Sequence, residues 1–395
     1  MKSPRIQIKP RMTLCNAASC LALIVTGISA HAAESSKLRQ SPVGAFGGEM
    51  AASTDNPGFF GTAALSVTDI YKVVDANGNG ITPPVPSSVP LQTGPATGGA
   101  VPSGTYSLSL PTGSIDFSQT QTQVNLLGGY LTESTYNGGR LAFAVNLPLI
   151  KQSRTVILSQ PLGTVSPTPN AALPAALRGA IGAVANATNA QIQAQVAASA
   201  RTPVVQNADV SGFGDTELSM LWIHHKDRLK VAAGVSLFVP TGMYDKARGP
   251  NPGFGDFYTL RPGVAVTYSL NPNHTDAAWD AGVTVAGRVS FGINTSNKET
   301  NYRSGNFVYA ETGLIKVINN WAFGANLLAI QQVTDDSGTG APANGSRYKN
   351  YGAGPFLSYK IPGQDAGFNL QYSQSFGSRN ALMSKTLQLR VIKAW

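Results

Sequence analysis

The chain has 395 residues, only 12% of them charged, 42 of them glycine, and a formal net charge of +9. That length accommodates one large barrel or two ordinary domains. No basic cluster interleaves with aromatics, which argues against a nucleic-acid partner. No run reaches the roughly 18 apolar residues that a membrane helix needs, although barrel strands, being short and mixed, escape that test.

Residues 1–32 read as a secretory leader. Lys2, Arg5, Lys9 and Arg11 precede an apolar core from Cys20 to Ile28, and Ala30-His31-Ala32 forms a small-x-small cleavage pattern. Removing them takes four basic residues from 29, leaving 25 against 20 acidic ones, or +5. Both cysteines, Cys15 and Cys20, leave with the leader, so the mature chain carries no disulfide framework and no thiol chemistry. No cofactor and no metal site are expected. Residues 33–58 read as a periplasmic lead-in, with a plug inside the barrel as the alternative.

Strand 1 is expected over 59–74. A proline- and glycine-rich loop follows over 75–122, because proline gives no N–H to a ladder. Within it, Asp75-Ala-Asn77-Gly-Asn79-Gly80 copies half of a calcium loop, but Pro86 stands where the gripping glutamate belongs, so a turn is the reading. Strands 2 (123–135) and 3 (140–150) flank the hairpin signal Tyr136-Asn-Gly-Gly-Arg140. Residues 151–212 break the pattern. Leu173, Leu177, Ile181 and Val184 recur at helical spacing, which predicts a helix over about 174–200 in a long loop, folded over or into the pore or decorating the surface.

Strands 4 to 12 are expected at 213–223, 229–240, 258–270, 279–293, 306–318, 321–333, 350–361, 367–377 and 382–395. In strand 5, Leu229, Val231, Ala233, Val235, Leu237 and Val239 share one face against Lys230, Gly234 and Ser236, and strands 6 and 7 repeat the alternation. Links after even-numbered strands are short and most links after odd-numbered strands are long. A bacterial outer-membrane barrel sorts its connections in this way, with both termini on the periplasmic side.

The expected fold is therefore all-β: a 12-stranded antiparallel transmembrane β-barrel with long extracellular loops and one loop helix. In lipid, a sheet satisfies its backbone only by closing on itself. Trp222, Tyr268, Trp279, Trp321, Tyr351, Tyr359, Tyr372 and Trp395 fall near strand ends, at headgroup level. The closing strand ends on Trp395 and resembles the signal read by the barrel assembly machinery, although Lys393 stands where that signal usually has an aromatic residue. Outer-membrane lipid and that machinery are the expected partners, and the Gram-negative outer membrane is the expected location. By parity the lumen carries Asp215, Glu217, Lys230, Arg261, Arg288, Glu311 and Arg390, which either brace the wall or set which solutes pass.

Five stretches resemble the family of outer-membrane barrels associated with the meta pathway of phenol degradation. They are Gly212-Phe-Gly-Asp215, Val239-Pro-Thr-Gly-Met-Tyr-Asp245, Asn301-Tyr-Arg-Ser-Gly305, Gln331-Gln-Val-Thr-Asp-Asp-Ser337 and Tyr351-Gly-Ala-Gly-Pro355. The resemblance covers roughly 55–395 and implies passive transport of small hydrophobic or aromatic solutes. It makes Tyr244, Asp245, Asp335 and Asp336 loop candidates. A structural or adhesive barrel that binds a partner through its loops is the alternative. An outer-membrane lipid hydrolase has less support: the mature chain's three histidines, His224, His225 and His274, fall in short turns, and no Gly-x-Ser-x-Gly elbow appears. The chain is expected not to be an enzyme.

Overall fold

The computed structural model describes residues 38–39, 56–81, 88–91, 106–109, 114–159, 164–167, 204–247, 249–276, 278–342 and 346–395. Twelve strands form the barrel: β1 (Gly58–Val74), β2 (Ser114–Tyr136), β3 (Gly139–Ser159), β4 (Thr216–Lys226), β5 (Leu229–Val239), β6 (Thr259–Ser269), β7 (Val283–Asn294), β8 (Phe307–Ile318), β9 (Trp321–Gln332), β10 (Lys349–Lys360), β11 (Ala366–Ser375) and β12 (Ala381–Ala394). Each pairs with the next, and β12 closes on β1 in a register running from Phe60↔Ala394 to Val74↔Ala381. Closure leaves no strand edge among them to meet lipid.

Period two places apolar side chains outward and polar ones inward. In β12, Leu387, Leu389 and Val391 are exposed, while Gln388 and Arg390 are 4% and 2% exposed. The exposed leucines and valines of β3, β6 and β7 follow the same rule. A soluble sandwich buries that set. Here lipid is the apolar solvent.

Turns on one rim are tight. Asn137 (φ 51°) and Gly138 (φ 75°) both take the left-handed conformation that a two-residue hairpin needs. Asp227 and Asn319 do the same at the β4–β5 and β8–β9 turns. Aromatics gather on this rim: Trp321 lies 4.6 Å from Tyr359, Phe59 lies 5.0 Å from Tyr130, and Trp222 stacks on His224. Both ends of the barrel chain meet there, through Trp395 N donating to the Phe59 carbonyl at 2.9 Å.

The structure departs from the sequence reading in four places. β2 begins at Ser114 and β3 runs on to Ser159, so 114–122 and 151–159 are strand, not loop. In 114–122 polar residues sit on both faces, as in Asp116-Phe-Ser-Gln-Thr120, so the period-two apolar signal fades where the strand continues. A further strand, Val204–Phe213, pairs with β3 and takes in Gly212 and Phe213, so β4 starts at Thr216 instead of 213. Short strands at Ser88–Leu91, Tyr106–Ser109 and Thr164–Pro167 form a separate three-stranded sheet inside the segments read as loops. Finally, Leu38 and Arg39, from the segment read as a periplasmic lead-in or a plug, are buried at the inner face of the barrel. The physical reason is a buried counter-charge, described below. The expected leader at 1–32 and the loop helix at 174–200 lie outside the described residues.

Candidate functional site: the lumen

All seven sequence-predicted lumen residues are buried on or at the inner face. Most of them form ion pairs on the wall made by β4 to β9. Arg261 Nη2 donates to Glu217 Oε1 at 2.8 Å, and its guanidinium lies 4.9 Å from the Phe238 ring. Arg288 pairs with Glu311 at 3.0 Å. Tyr309 ties that pair together, accepting from Arg288 Nη2 at 3.1 Å and donating to Glu311 Oε2 at 3.2 Å. Register makes this possible, because Arg288 and Glu311 are direct cross-strand partners. Lys230 is buried near the tight-turn rim, opposite His225 and Thr267 in the ladder. Arg390 stands apart on β12, donating to Gln388, which in turn donates to Ser66 Oγ at 2.9 Å.

Asp215 has a different partner. Its Oδ2 pairs with Arg39 at 2.8 Å, and the side chains are 1% and 4% exposed. Asp215 Oδ1 also accepts from Gly242 N at 3.0 Å, and Oδ2 from Phe254 N at 2.9 Å. Arg39 donates further to the Phe257 and Gly255 carbonyls and to Thr259 Oγ1, and its guanidinium lies 3.9 Å from the Phe257 ring. A guanidinium has five N–H donors in a planar fork, and this pocket is shaped to receive them. Two of the five sequence stretches build the receptacle. Gly212–Asp215 supplies the carboxylate, and Gly242 of the Val239–Asp245 stretch passes so close that an added Cβ would lie 2.6 Å from Gly253 Cα. Leu38 packs beside it against Val74, Phe307, Tyr309, Ile330, Tyr348 and Ala381. These two residues therefore lie toward the long-loop rim, whereas Gly58 begins β1 at the opposite one.

The loop candidates brace the outer connections. Asp336 Oδ1 accepts from Gly305 N at 2.7 Å and Gln332 Nε2 at 2.6 Å, and Tyr302 donates to its other oxygen. It thereby joins the Asn301–Gly305 and Gln331–Ser337 stretches. Asp245 and Asn251 close a local loop through two backbone contacts of 3.0 Å each. Tyr244 accepts from Asn297 Nδ2 at 3.4 Å. Asp335 pairs in the open with Arg347, whose hydrogen bond holds the Asp335 carboxyl below its usual range. At the mouth, burial pushes the Tyr348 hydroxyl up to about 12. Asp75 accepts from Asn77 N and Asn79 N through one oxygen, which makes the 75–80 stretch a turn, and no group of metal-ligating side chains occurs among the described residues.

Opposite the charged wall lies a neutral one, which the sequence reading missed. Along β2, Gln119, Gln121, Gln123 and Asn125 face inward at every second residue. Their amides connect in series: Gln152 donates to Gln121 (2.6 Å), Gln121 to Gln123 (2.9 Å) and Gln123 to Asn125 (3.0 Å). Arg154 Nε caps the outer end on Gln119 Oε1 at 2.7 Å. The signal was available in Gln119-Thr-Gln-Thr-Gln-Val-Asn125, where an amide side chain recurs at every second residue, but most of it fell in a segment read as loop. A cavity of about 390 Å³ lies between the two walls and is lined by both.

A closed twelve-stranded barrel, apolar outside and polar within, is an outer-membrane β-barrel. The chain belongs to the family described as "Putative MetA-pathway of phenol degradation", whose sequence model matches residues 111–391. No curated protein matches at the sequence level. Among solved structures the chain is similar to an outer membrane channel from Pseudomonas putida F1, at 13% identity, over 90% of this chain and 100% of that one, with a TM-score of 0.57. It also aligns with the transport unit of the autotransporter AIDA-I from Escherichia coli (8% identity, 96% and 98% coverage, TM-score 0.43) and with the toluene transporter TodX of Pseudomonas putida (12%, 92% and 96%, TM-score 0.34). At 13% identity the likeness to the Pseudomonas putida F1 channel is one of fold.

Proposed function

We propose that the protein is an outer-membrane channel that passes small hydrophobic or aromatic compounds passively through its lumen. The observation that carries this reading is the chamber itself: a closed barrel encloses a cavity of about 390 Å³ lined by apolar side chains such as Ile70 and Ile150 as well as polar ones. Ligand sites of this kind pair an apolar body with a few placed polar groups. Membership of the family and the fold shared with a bacterial outer membrane channel support the same reading. The reading includes export through the leader at 1–32 and recognition of β12 by the barrel assembly machinery. An adhesive barrel working through its loops has no specific observation in its favour.

The test is flux. The full chain is reconstituted into vesicles with a lipopolysaccharide outer leaflet, which slows unaided diffusion of small aromatics. Entry of ethylbenzene and of phenylethanediol is then followed. Faster entry of either than in protein-free vesicles is the expected outcome. Equal rates with a folded barrel overturn the channel reading.

A further inference from the structure

Four amide groups around the cavity each leave one atom without a partner. Asn125 Nδ2, Asn146 Oδ1, Gln152 Oε1 and Gln371 Nε2 are buried and make no hydrogen bond, and all four residues line the same cavity. The residues are 5%, 8%, 8% and 3% exposed. Such atoms are costly to leave unmatched, so the cavity has the chemistry of a place that a hydrogen-bonding guest completes. Two of the atoms donate and two accept. A carboxylate only accepts and an ammonium only donates, whereas a hydroxyl does both and matches the mixed set.

Charge points the same way. Both carboxylates bordering the cavity are paired within the protein, Asp215 with Arg39 and Glu217 with Arg261, whereas Arg154 meets only the neutral Gln119 amide. A cationic guest would enter a low-dielectric chamber and find its counter-charges already paired. Ile70, Ile150 and Phe238 give the same chamber an apolar side.

Resting on the channel reading above, we infer that the lumen holds a binding site for uncharged solutes that join an apolar body to two or more hydroxyl groups, recognised by the amides of β2, β3 and β11. The site discriminates against a bare hydrocarbon of the same shape and against an ammonium.

Gln371 is the residue to change. No hydrogen bond to its side chain occurs among the described residues, so Gln371→Leu breaks no protein hydrogen bond and is expected to leave folding intact. Purified full-length protein in detergent is titrated with phenylethanediol, ethylbenzene and phenylethylammonium, which share a ring and a two-carbon tail. The diol is expected to bind at least tenfold tighter than either of the others. Gln371→Leu is expected to shrink that ratio several-fold while the unfolding midpoint stays put or rises. Asn146→Leu serves as a second variant with the same expected loss. Equal binding of the diol and ethylbenzene overturns the inference, as does a ratio that survives both substitutions, which would mean that the amides hold water only. If the vesicles pass ethylbenzene as fast as the diol, the channel reading stands and this inference falls. If neither enters, the channel reading falls first.

Discussion

Arg39 and Asp215, 176 positions apart in the chain, meet inside the barrel with Nε 2.9 Å from Oδ2. The contact brings a segment preceding the first strand to the long-loop side of the lumen. It is made where Gly212–Asp215 and Gly242 come together, so Asp215 serves as a socket just ahead of β4.

The two partners respond unequally to substitution. Asp215→Ala removes the counter-charge and also the acceptor for Gly242 and Phe254. Breaking a buried pair from one side costs about 3–5 kcal/mol, so the urea midpoint drops strongly. Arg39→Leu leaves Asp215 its two backbone donors and costs less. Its main expected effect is on passage: single-channel conductance in planar bilayers rises when the side chain no longer stands in the lumen. Unchanged conductance with an unchanged midpoint would contradict an occluding role.

The Arg288–Glu311–Tyr309 cluster braces the wall. Glu311→Gln leaves a buried guanidinium without its counter-charge and is expected to destabilise the barrel by about 3–5 kcal/mol. Replacing both, Arg288→Met with Glu311→Leu, recovers most of that loss, since two apolar groups leave no charge stranded. A double variant as unstable as the single one would show that the cluster contributes more than mutual neutralisation.

Asp336 holds two outer connections together through three hydrogen bonds. Asp336→Ala is expected to open the 295–306 and 333–348 connections to added protease. The heat-resistant gel migration of the barrel is expected to persist, because the strand ladders are untouched. Loss of the folded band would mean that the loops are needed for closure.

Tyr348 supplies a pH dependence. Its ordinary value is about 10, and burial raises it to about 12. The folded state thus favours the neutral phenol. The stability tied to it is full below about pH 10 and is lost as pH climbs toward 12, because the unfolded chain ionises first. Tyr348→Phe is expected to flatten the alkaline limb of the stability curve over that window. An alkaline limb of the same steepness in the variant would assign the effect elsewhere.

Much of this was legible in the chain. Strands β5 to β12 lie close to where the alternation puts them, because period two is a local property that each strand carries independently of its neighbours. The seven charged lumen residues followed from parity for the same reason. Loop length gave the two rims, since tight turns such as Asn137-Gly138 need only their own residues. The ends of β2 and β3 were lost where polar residues occupy both faces, and the amide series Gln119 to Asn125 was lost with them.

What the sequence settled, then, is which way each side chain of a strand points: lipid or lumen. What only the folded barrel decided is who meets whom inside it. Arg288 finds Glu311, Gln152 finds Gln121 and Arg39 finds Asp215 because tilt, register and closure bring distant strands to one level. Arg39 lies in a segment with no periodicity at all. Its place is set by the socket that receives it, and no local pattern encodes a partner 176 residues away.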